Sequence, residues 1–68
     1  MSVARVTEII ASSPESFEVA TRKGLRRASK TLKNVRGAWV EGQKVECDST
    51  GHVTEFRVIL KVTFVLQD

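Results

Sequence analysis

The sequence predicts an α+β domain in which one helix packs on a three-stranded antiparallel sheet, in the order β-α-β-β. Three observations support this class. An alternating segment opens the chain, a stripe of small and apolar residues follows at helical spacing, and a long β-type segment over 57–66 closes it. The 68 residues make a single domain, 1–68, with no room for a second.

The first strand is predicted from Val3 to Ile10, and the segment over 11–14 should end it. Successive residues of a strand point to opposite sides of the sheet, so the side chains divide into two sets. One set is Val3, Arg5, Thr7 and Ile9, and the other is Ala4, Val6, Glu8 and Ile10.

The helix is predicted to begin at Pro14 and to end at about Leu32. Proline suits the first helical position, where a missing N–H costs nothing. Either Ser13 is the N-cap, or Ser12 is the cap and Glu15 closes a capping box. The apolar stripe contains Phe17, Ala20, Thr21, Gly24, Leu25, Ala28 and Leu32. A helical Gly costs about 1 kcal/mol relative to Ala, so we expect the helix to approach the sheet closely at Gly24.

Two longer strands follow, and a turn joins them. Asn34 suits a left-handed exit from the helix. The second strand is predicted from Val35 to Val45 or Glu46, and the turn over 47–52 has Asp48 and Gly51 as its turn residues. The third strand is predicted from 53 to 66. Its apolar face, expected against the helix, is Phe56, Val58, Leu60, Val62, Phe64 and Leu66.

The other face of the third strand predicts contact with something other than solvent. It combines Glu55, Arg57, Ile59, Lys61, Thr63 and Val65. This mixture has too much aliphatic surface for plain exposure and too many charges for a dry core. We therefore expect this face to form an inter-subunit surface or to line a cavity.

The size of the chain predicts self-association. A chain this short buries only about 60% of its unfolded surface, and a single helix cannot cover both faces of a sheet. An internal disulfide is excluded because Cys47 is the only cysteine, and Cys47 with His52 is too few ligands for zinc. Copies of the same chain remain as the means of completing the core.

The net charge is basic and unevenly distributed. Eleven Lys and Arg residues stand against eight Asp and Glu residues, and seven of the basic residues fall between Arg22 and Arg36 with no acid among them. This segment predicts a solvated helix face, and the alternative is a nucleic-acid-binding module. The alternative lacks an aromatic stacking platform and any named motif.

Other function classes find little support. No signal peptide or membrane span is visible, and the free thiol predicts a cytoplasmic protein. Ser12 and Ser13 are interpreted as caps, His52 as a solvated turn residue and Cys47 as a packing residue. No catalytic residue is predicted, and the protein is expected not to be an enzyme.

The chain resembles the dodecin family over nearly its whole length. The resemblance lies in Val6-Thr-Glu-Ile-Ile-Ala-Ser-Ser-Pro-Glu-Ser-Phe17, in Arg27-Ala-Ser-Lys-Thr-Leu-Lys-Asn-Val35 and in Phe56-Arg-Val-Ile-Leu-Lys-Val-Thr-Phe64. Dodecins are β-α-β-β subunits that assemble into hollow spheres of twelve. Many bind flavins for storage or protective sequestration. The resemblance therefore implies a hollow homododecamer with FMN or riboflavin as its ligand.

Two signature residues of the flavin-binding dodecins are absent from this chain. In those members a Trp after the helix stacks on the isoalloxazine ring, and a Gln in the last strand hydrogen-bonds the flavin edge. Gly37 and Arg57 align with these positions. Glycine has no π-face, and arginine donates hydrogen bonds but accepts none.

Trp39 offers a displaced replacement for the missing stacking residue. It lies two residues beyond Gly37, so both should face the same side of the strand. Gly37, Trp39 and Arg57 are thus the predicted ligand-binding residues. The competing interpretation is that Trp39 fills a subunit interface, while Arg57 pairs with Glu41 or Glu55 of a neighbour.

A shell without flavin is the alternative function. It would bind calcium or another small ligand, or serve a structural purpose. The segment 48–51 is too short for an EF-hand loop and has one carboxylate. Symmetry could instead gather Glu41, Glu46 or Asp48 from several subunits, so the identity of any metal site stays open.

Overall fold

The computed structural model describes residues 3–66 and has the predicted element order. The strands are β1 (Ala4–Ser13), β2 (Val35–Cys47) and β3 (Val53–Val65), and the helix is α1 (Phe17–Ala28). The sheet order is β1-β3-β2, and both pairs are antiparallel. The predicted α+β class is confirmed, and β3 is the central strand.

β1 is longer than predicted because β3 extends its pairing. Ser12 lies opposite Arg57 and Ser13 lies opposite Phe56, so both serines belong to the strand. Serine has a low strand propensity, but the long partner strand supplies the pairing that overrides it. The predicted end at Ile10 was therefore wrong by three residues.

The helix begins later than predicted, and both proposed caps were wrong. Ser16 is the N-cap, and its Oγ accepts a hydrogen bond of 3.0 Å from the Val19 N–H. The Ser13 hydroxyl instead accepts a 3.0 Å bond from the Glu15 N–H in the bend before the helix. Because Ser13 still pairs within β1, residues 14–15 must bend the chain before the helix can begin after Ser16.

The helix also ends earlier than predicted, at Ala28 and not at Leu32. The Ser29 hydroxyl bonds the Leu25 carbonyl at 2.9 Å, and the Thr31 hydroxyl bonds the Ala28 carbonyl at 3.4 Å. Such local bonds compete with the helical ladder and favour an early end. Asn34 then adopts the expected left-handed conformation, with φ of 63°.

The core lies between α1 and the centre of the sheet. Val58, Leu60 and Val62 of β3 are fully buried against Ala20 and Ala28 of α1. Phe17 and Phe56 extend this core through an edge-to-face contact with ring centroids 5.1 Å apart. The outer members of the predicted apolar face are less covered, since Phe56 and Phe64 are half-buried and Leu66 is exposed.

Gly24 marks the close approach of α1 to the sheet. A Cβ at this position would lie 2.9 Å from the Ala11 Cβ and 2.9 Å from the Leu60 Cδ1. The helix packs on β1 and β3 and barely touches β2. One face of the sheet is therefore wholly uncovered, and so is the helix side of β2.

Candidate functional site

The predicted ligand-binding residues lie on the sheet face opposite α1, which we call the open face. Residues directly opposite each other in paired strands share a face. The register places four rows across the open face: Val6, Thr63 and Gly37; Glu8, Lys61 and Trp39; Ile10, Ile59 and Gly42; and Ser12, Arg57 and Lys44. This face mixes apolar and charged side chains, as the sequence indicated.

Trp39 is the most conspicuous side chain of the open face. Its exposed fraction is 63%, and Ile10 on the same face reaches 67%. Large apolar groups exposed together on one face are typical of binding or association surfaces. Lys61 lies directly opposite Trp39, at about 5 Å between Cβ atoms, so a cation borders the indole.

Gly37 leaves open space beside Trp39. The two residues are two positions apart on the same face, about 7 Å along the strand. A Cβ built at Gly37 would meet no other heavy atom within 4 Å. A flat group stacked on the indole could therefore extend over Gly37 without a clash.

Arg57 does not lie beside Trp39 within one chain. It is four residues from Lys61 along β3, which corresponds to about 14 Å. Its cross-strand neighbours are Ser12 and Lys44. The two side chains therefore do not form one compact site by direct contact within a single chain.

Glu41 pairs with a cation of its own chain. Its carboxylate lies 3.3 Å from the Lys61 Nζ, and both side chains are partly exposed. Val40 pairs with Leu60 and Gly42 pairs with Ile59, so Glu41 is the extra residue of a β-bulge. The bulge directs the carboxylate towards Lys61, two residues beyond Trp39.

The acidic residues at the far end of the β2–β3 hairpin are locally engaged. Glu46 lies 3.0 Å from Lys44, and the hydrogen bond from Lys44 lowers the pKa of the Glu46 carboxyl. The Thr50 hydroxyl bonds Asp48 at 2.6 Å and, with the Thr50 and His52 N–H groups, lowers the pKa of Asp48. Among residues 3–66, no three potential ligands converge on a metal position.

The remaining polar residues form no catalytic arrangement within the described chain. Ser13 is buried and accepts a backbone hydrogen bond. His52 Nδ1 lies 2.8 Å from the Thr50 hydroxyl in an exposed turn, and the Cys47 thiol is exposed nearby. The Asp48 carboxylate accepts bonds from Thr50 and from the His52 backbone N–H, so it holds the turn together and does not orient the His52 ring.

Seven basic residues lie on α1, in the segment after it and at the start of β2. All seven, from Arg22 to Arg36, are exposed. Arg22 pairs with Glu18 at 2.8 Å, and it is the only one of the seven to form an ion pair in the described chain. These exposed residues make the surface on and after α1 rich in positive charge.

A groove that the sequence did not predict lies between β1 and α1. It has a volume of about 540 Å³ and is open to solvent. Its lining includes Thr7, Ile9, Ala11, Lys23, Gly24, Arg27, Ala28, Thr31 and Leu32. The small residues Ala11, Gly24 and Ala28 were the available signal, but their spacing alone indicated only close packing.

Comparisons with known proteins identify the family. A Dodecin family model matches residues 3–67. The calcium dodecin of Mycobacterium tuberculosis is 37% identical over 67 residues, which cover 98% of this chain and 93% of that protein. The chain belongs to the dodecin family.

Solved structures support the same assignment. Dodecin from Streptomyces davaonensis superimposes with a TM-score of 0.91 at 34% identity, covering 98% of this chain and 97% of its own. The crystal structure of the M. tuberculosis calcium dodecin, described as calcium chelating with a novel calcium-binding site, has a TM-score of 0.82 at 34% identity. That match covers 96% of this chain and 91% of the other.

In the part of the chain that the structure describes, no helix has the length and apolarity needed to cross a membrane.

Proposed function

We propose that this chain assembles into a hollow homododecamer that binds and sequesters a small planar molecule without catalysing a reaction, and that flavin is the first ligand to test. The single observation that carries the proposal is the exposure of Trp39 on a face that α1 leaves uncovered. An indole that is 63% exposed has removed little of its apolar surface from water on folding. Stacking on a ligand or burial against a partner would remove more of that surface and so would be favourable.

The surroundings of Trp39 favour a flat ligand. Gly37 leaves room for a ring system beside the indole, and Lys61 lies opposite it. Lys61 already pairs with Glu41 at 3.3 Å and lies opposite Glu8, so a ligand phosphate would compete with these carboxylates for it. FMN and riboflavin differ by a phosphate group, so they form a matched pair of probes for this contact.

The direct test is a titration of FMN and riboflavin with the purified protein, with flavin emission as the readout. Native mass and an absorbance scan from about 350 to 500 nm establish the assembly and any retained ligand. We expect quenching at micromolar protein and about a tenfold or greater loss of affinity in Trp39→Ala, because stacking supplies much of the binding energy. Val53→Ala, at the far end of the hairpin, is the control.

A complementary variant restores the family signature. Gly37→Trp with Arg57→Gln introduces the stacking residue and the two-sided amide that the flavin-binding dodecins use. The open space at Gly37 accommodates the new side chain. We expect this double variant to bind flavin at least about tenfold more tightly than the natural chain. If neither protein quenches flavin at micromolar concentration, the flavin form of the proposal is wrong.

A second candidate function is calcium binding by the same shell. The observation in its favour is the likeness to a relative named calcium dodecin. Because no three potential ligands converge among residues 3–66, calcium would draw its carboxylates from more than one copy. Titration calorimetry with calcium, and with magnesium for comparison, tests this second candidate. We expect the double variant Glu41→Gln with Glu46→Gln to lose the calcium binding heat.

A further inference from the structure

The basic residues of this chain are concentrated in one segment, and the acidic residues lie outside it. Of the eleven Lys and Arg residues, seven fall between Arg22 and Arg36, where no acid occurs. The rest of the chain therefore has four basic residues and all eight acidic residues, so its own balance is negative. A surface that serves solubility alone mixes both signs, whereas an area of one sign attracts a partner of the opposite charge.

Four of these cations form two rows along α1. Arg22 and Arg26 are four residues apart, and so are Lys23 and Arg27. Residues four apart lie on one side of a helix and are separated by a rise of about 6 Å. The buried side of α1 consists of small residues centred on Gly24, so Arg22 and Arg26 point away from the sheet.

Lys30 continues the cations beyond the end of α1. Its N–H donates a 3.2 Å hydrogen bond to the Arg27 carbonyl, which keeps this residue close to the end of the helix. Arg22 pairs with Glu18 at 2.8 Å. The other six of the seven cations form no ion pair among residues 3–66, and all seven are exposed.

The surroundings of these cations favour a partner that is recognised by charge alone. None of the large hydrophobic side chains exposed in residues 3–66 lies on α1 or in the segment 29–36. A helix that binds a membrane surface buries apolar side chains among the lipids, and α1 has used its apolar side on the sheet.

The same segment has no aromatic ring for stacking on bases. Phe17 is the aromatic residue of α1, and it is half-buried in an edge-to-face contact with Phe56. Proteins that bind single strands combine a basic groove with such rings. Duplex nucleic acid instead offers one negative charge for about every 1.7 Å of its axis and needs no stacking partner.

We propose that the seven cations from Arg22 to Arg36 bind the phosphate backbone of duplex nucleic acid without reading its base sequence. We call this surface the basic face. The proposal is independent of any ligand bound at Trp39. Each Lys or Arg that contacts a phosphate releases a condensed counterion, so the affinity must fall steeply as salt is added.

Fluorescence anisotropy of a labelled DNA duplex, titrated with the purified protein as it assembles naturally, tests the basic face. We expect micromolar affinity at about 50 mM salt and a loss of about tenfold or more at about 200 mM salt, as two or more phosphate contacts require. A duplex of unrelated sequence should bind equally well. A single strand of the same length should bind less tightly, because it has a lower charge density.

A pair of matched double variants separates the basic face from net charge. Arg26→Gln with Lys30→Gln removes two cations of the basic face, and Arg5→Gln with Lys44→Gln removes two exposed cations from the strands. We expect the first to weaken duplex binding about tenfold or more and to lower the salt dependence by about one for each lost phosphate contact. The second should weaken binding by less than about threefold. Circular dichroism and native mass verify the fold and assembly of both.

Glu18→Gln provides a change in the opposite direction. It releases Arg22 from its ion pair, so we expect duplex binding to tighten by about twofold or more. The proposal is overturned if Arg26→Gln with Lys30→Gln binds like its matched control, if the affinity does not depend on salt, or if the natural chain does not bind at about 100 μM. Binding to vesicles of phosphatidylglycerol and phosphatidylcholine without binding to the duplex would overturn it in favour of a membrane surface.

Discussion

At Gly24 the absence of a side chain decides how closely the helix approaches the sheet. The space that a Cβ would need is already taken by Ala11 and Leu60, at 2.9 Å each. The Leu60 end can rotate only within a buried core, and the Ala11 Cβ is fixed by its backbone. The sequence predicted a close approach here from the cost of a helical glycine, and the geometry confirms it.

We expect Gly24→Ala to destabilise the protein despite its gain in helix propensity. Overpacking costs about 1–3 kcal/mol, whereas Ala gains about 1 kcal/mol over Gly, so a net loss of about 1 kcal/mol is expected. Urea unfolding at a fixed chain concentration measures it. Ala11→Gly in the same chain removes one of the clashing atoms and should recover part of the loss. A rise in stability for Gly24→Ala would contradict this account.

At the scale of single residues, Arg57 shows where sequence reasoning stops. Alternation along a strand correctly placed Gly37 and Trp39 on one face. The distance from Arg57 to Trp39 depends on which residues of β2 and β3 are opposite each other, and on the bulge at Glu41. Register of this kind is set by pairing across the sheet and is not encoded in either strand alone.

At the scale of elements, the start of α1 was the least predictable boundary. Ser12, Ser13 and Ser16 are all competent caps, and local preference cannot rank them. The pairing of Ser12 and Ser13 with β3 removes both from the choice. The lengths of β2 and β3 and the turn between them were predicted within a residue or so, because alternating apolar residues continue up to a clear turn sequence.

We expect Ser16→Ala to lower the free energy of unfolding by about 1 kcal/mol, since the Val19 N–H loses its acceptor. Ser12→Ala, at an exposed strand position, should change stability by less than about 0.5 kcal/mol. Thermal unfolding at matched concentration compares the two. Equal effects would show that Ser16 does not cap the helix.

The β2–β3 turn should weaken in acid because Asp48 holds it together in its charged form. The hydrogen bonds from Thr50 and His52 lower the pKa of Asp48 below its ordinary value of 3.8. A lowered pKa in the fold means that the stabilisation is complete above the unfolded value and is lost as the pH falls through the folded value.

An NMR titration of the Asp48 carboxyl tests the acid weakening of the turn. We expect its midpoint below 3.8, accompanied by shifts of the Thr50 and His52 amides. Asp48→Asn should remove that step from both amides. A midpoint at or above 3.8 would show that the turn does not favour the carboxylate.

At the scale of the whole molecule, the subunit is incomplete as an isolated body. The open face, the groove and the helix side of β2 each leave apolar groups in water. The sequence predicted this uncovered apolar surface, because a single helix cannot cover both faces of a sheet. It could not locate the groove, which arises where residues far apart in the chain are brought together.

We therefore expect stability to depend on protein concentration. Association stabilises the folded state by mass action, so the urea midpoint should rise as the chain concentration is raised. Sedimentation of the same samples should show assemblies of 7.6 kDa chains at the higher concentrations. For a simple ligand, a hundredfold rise in concentration shifts stability by about 2.7 kcal/mol. A urea midpoint that stays constant over a hundredfold range of chain concentration would therefore indicate a self-sufficient monomer.

The sheet order β1-β3-β2 also fixes when a newly made chain can form the groove between β1 and α1. β2 and β3 are neighbours in the chain and can close as a hairpin through a short turn. β1 precedes both of these strands in the chain, yet its partner is β3. The β1 wall of the groove is therefore completed only after β3 has been made and has paired with β1, so a partly synthesised chain that lacks β3 does not present the groove.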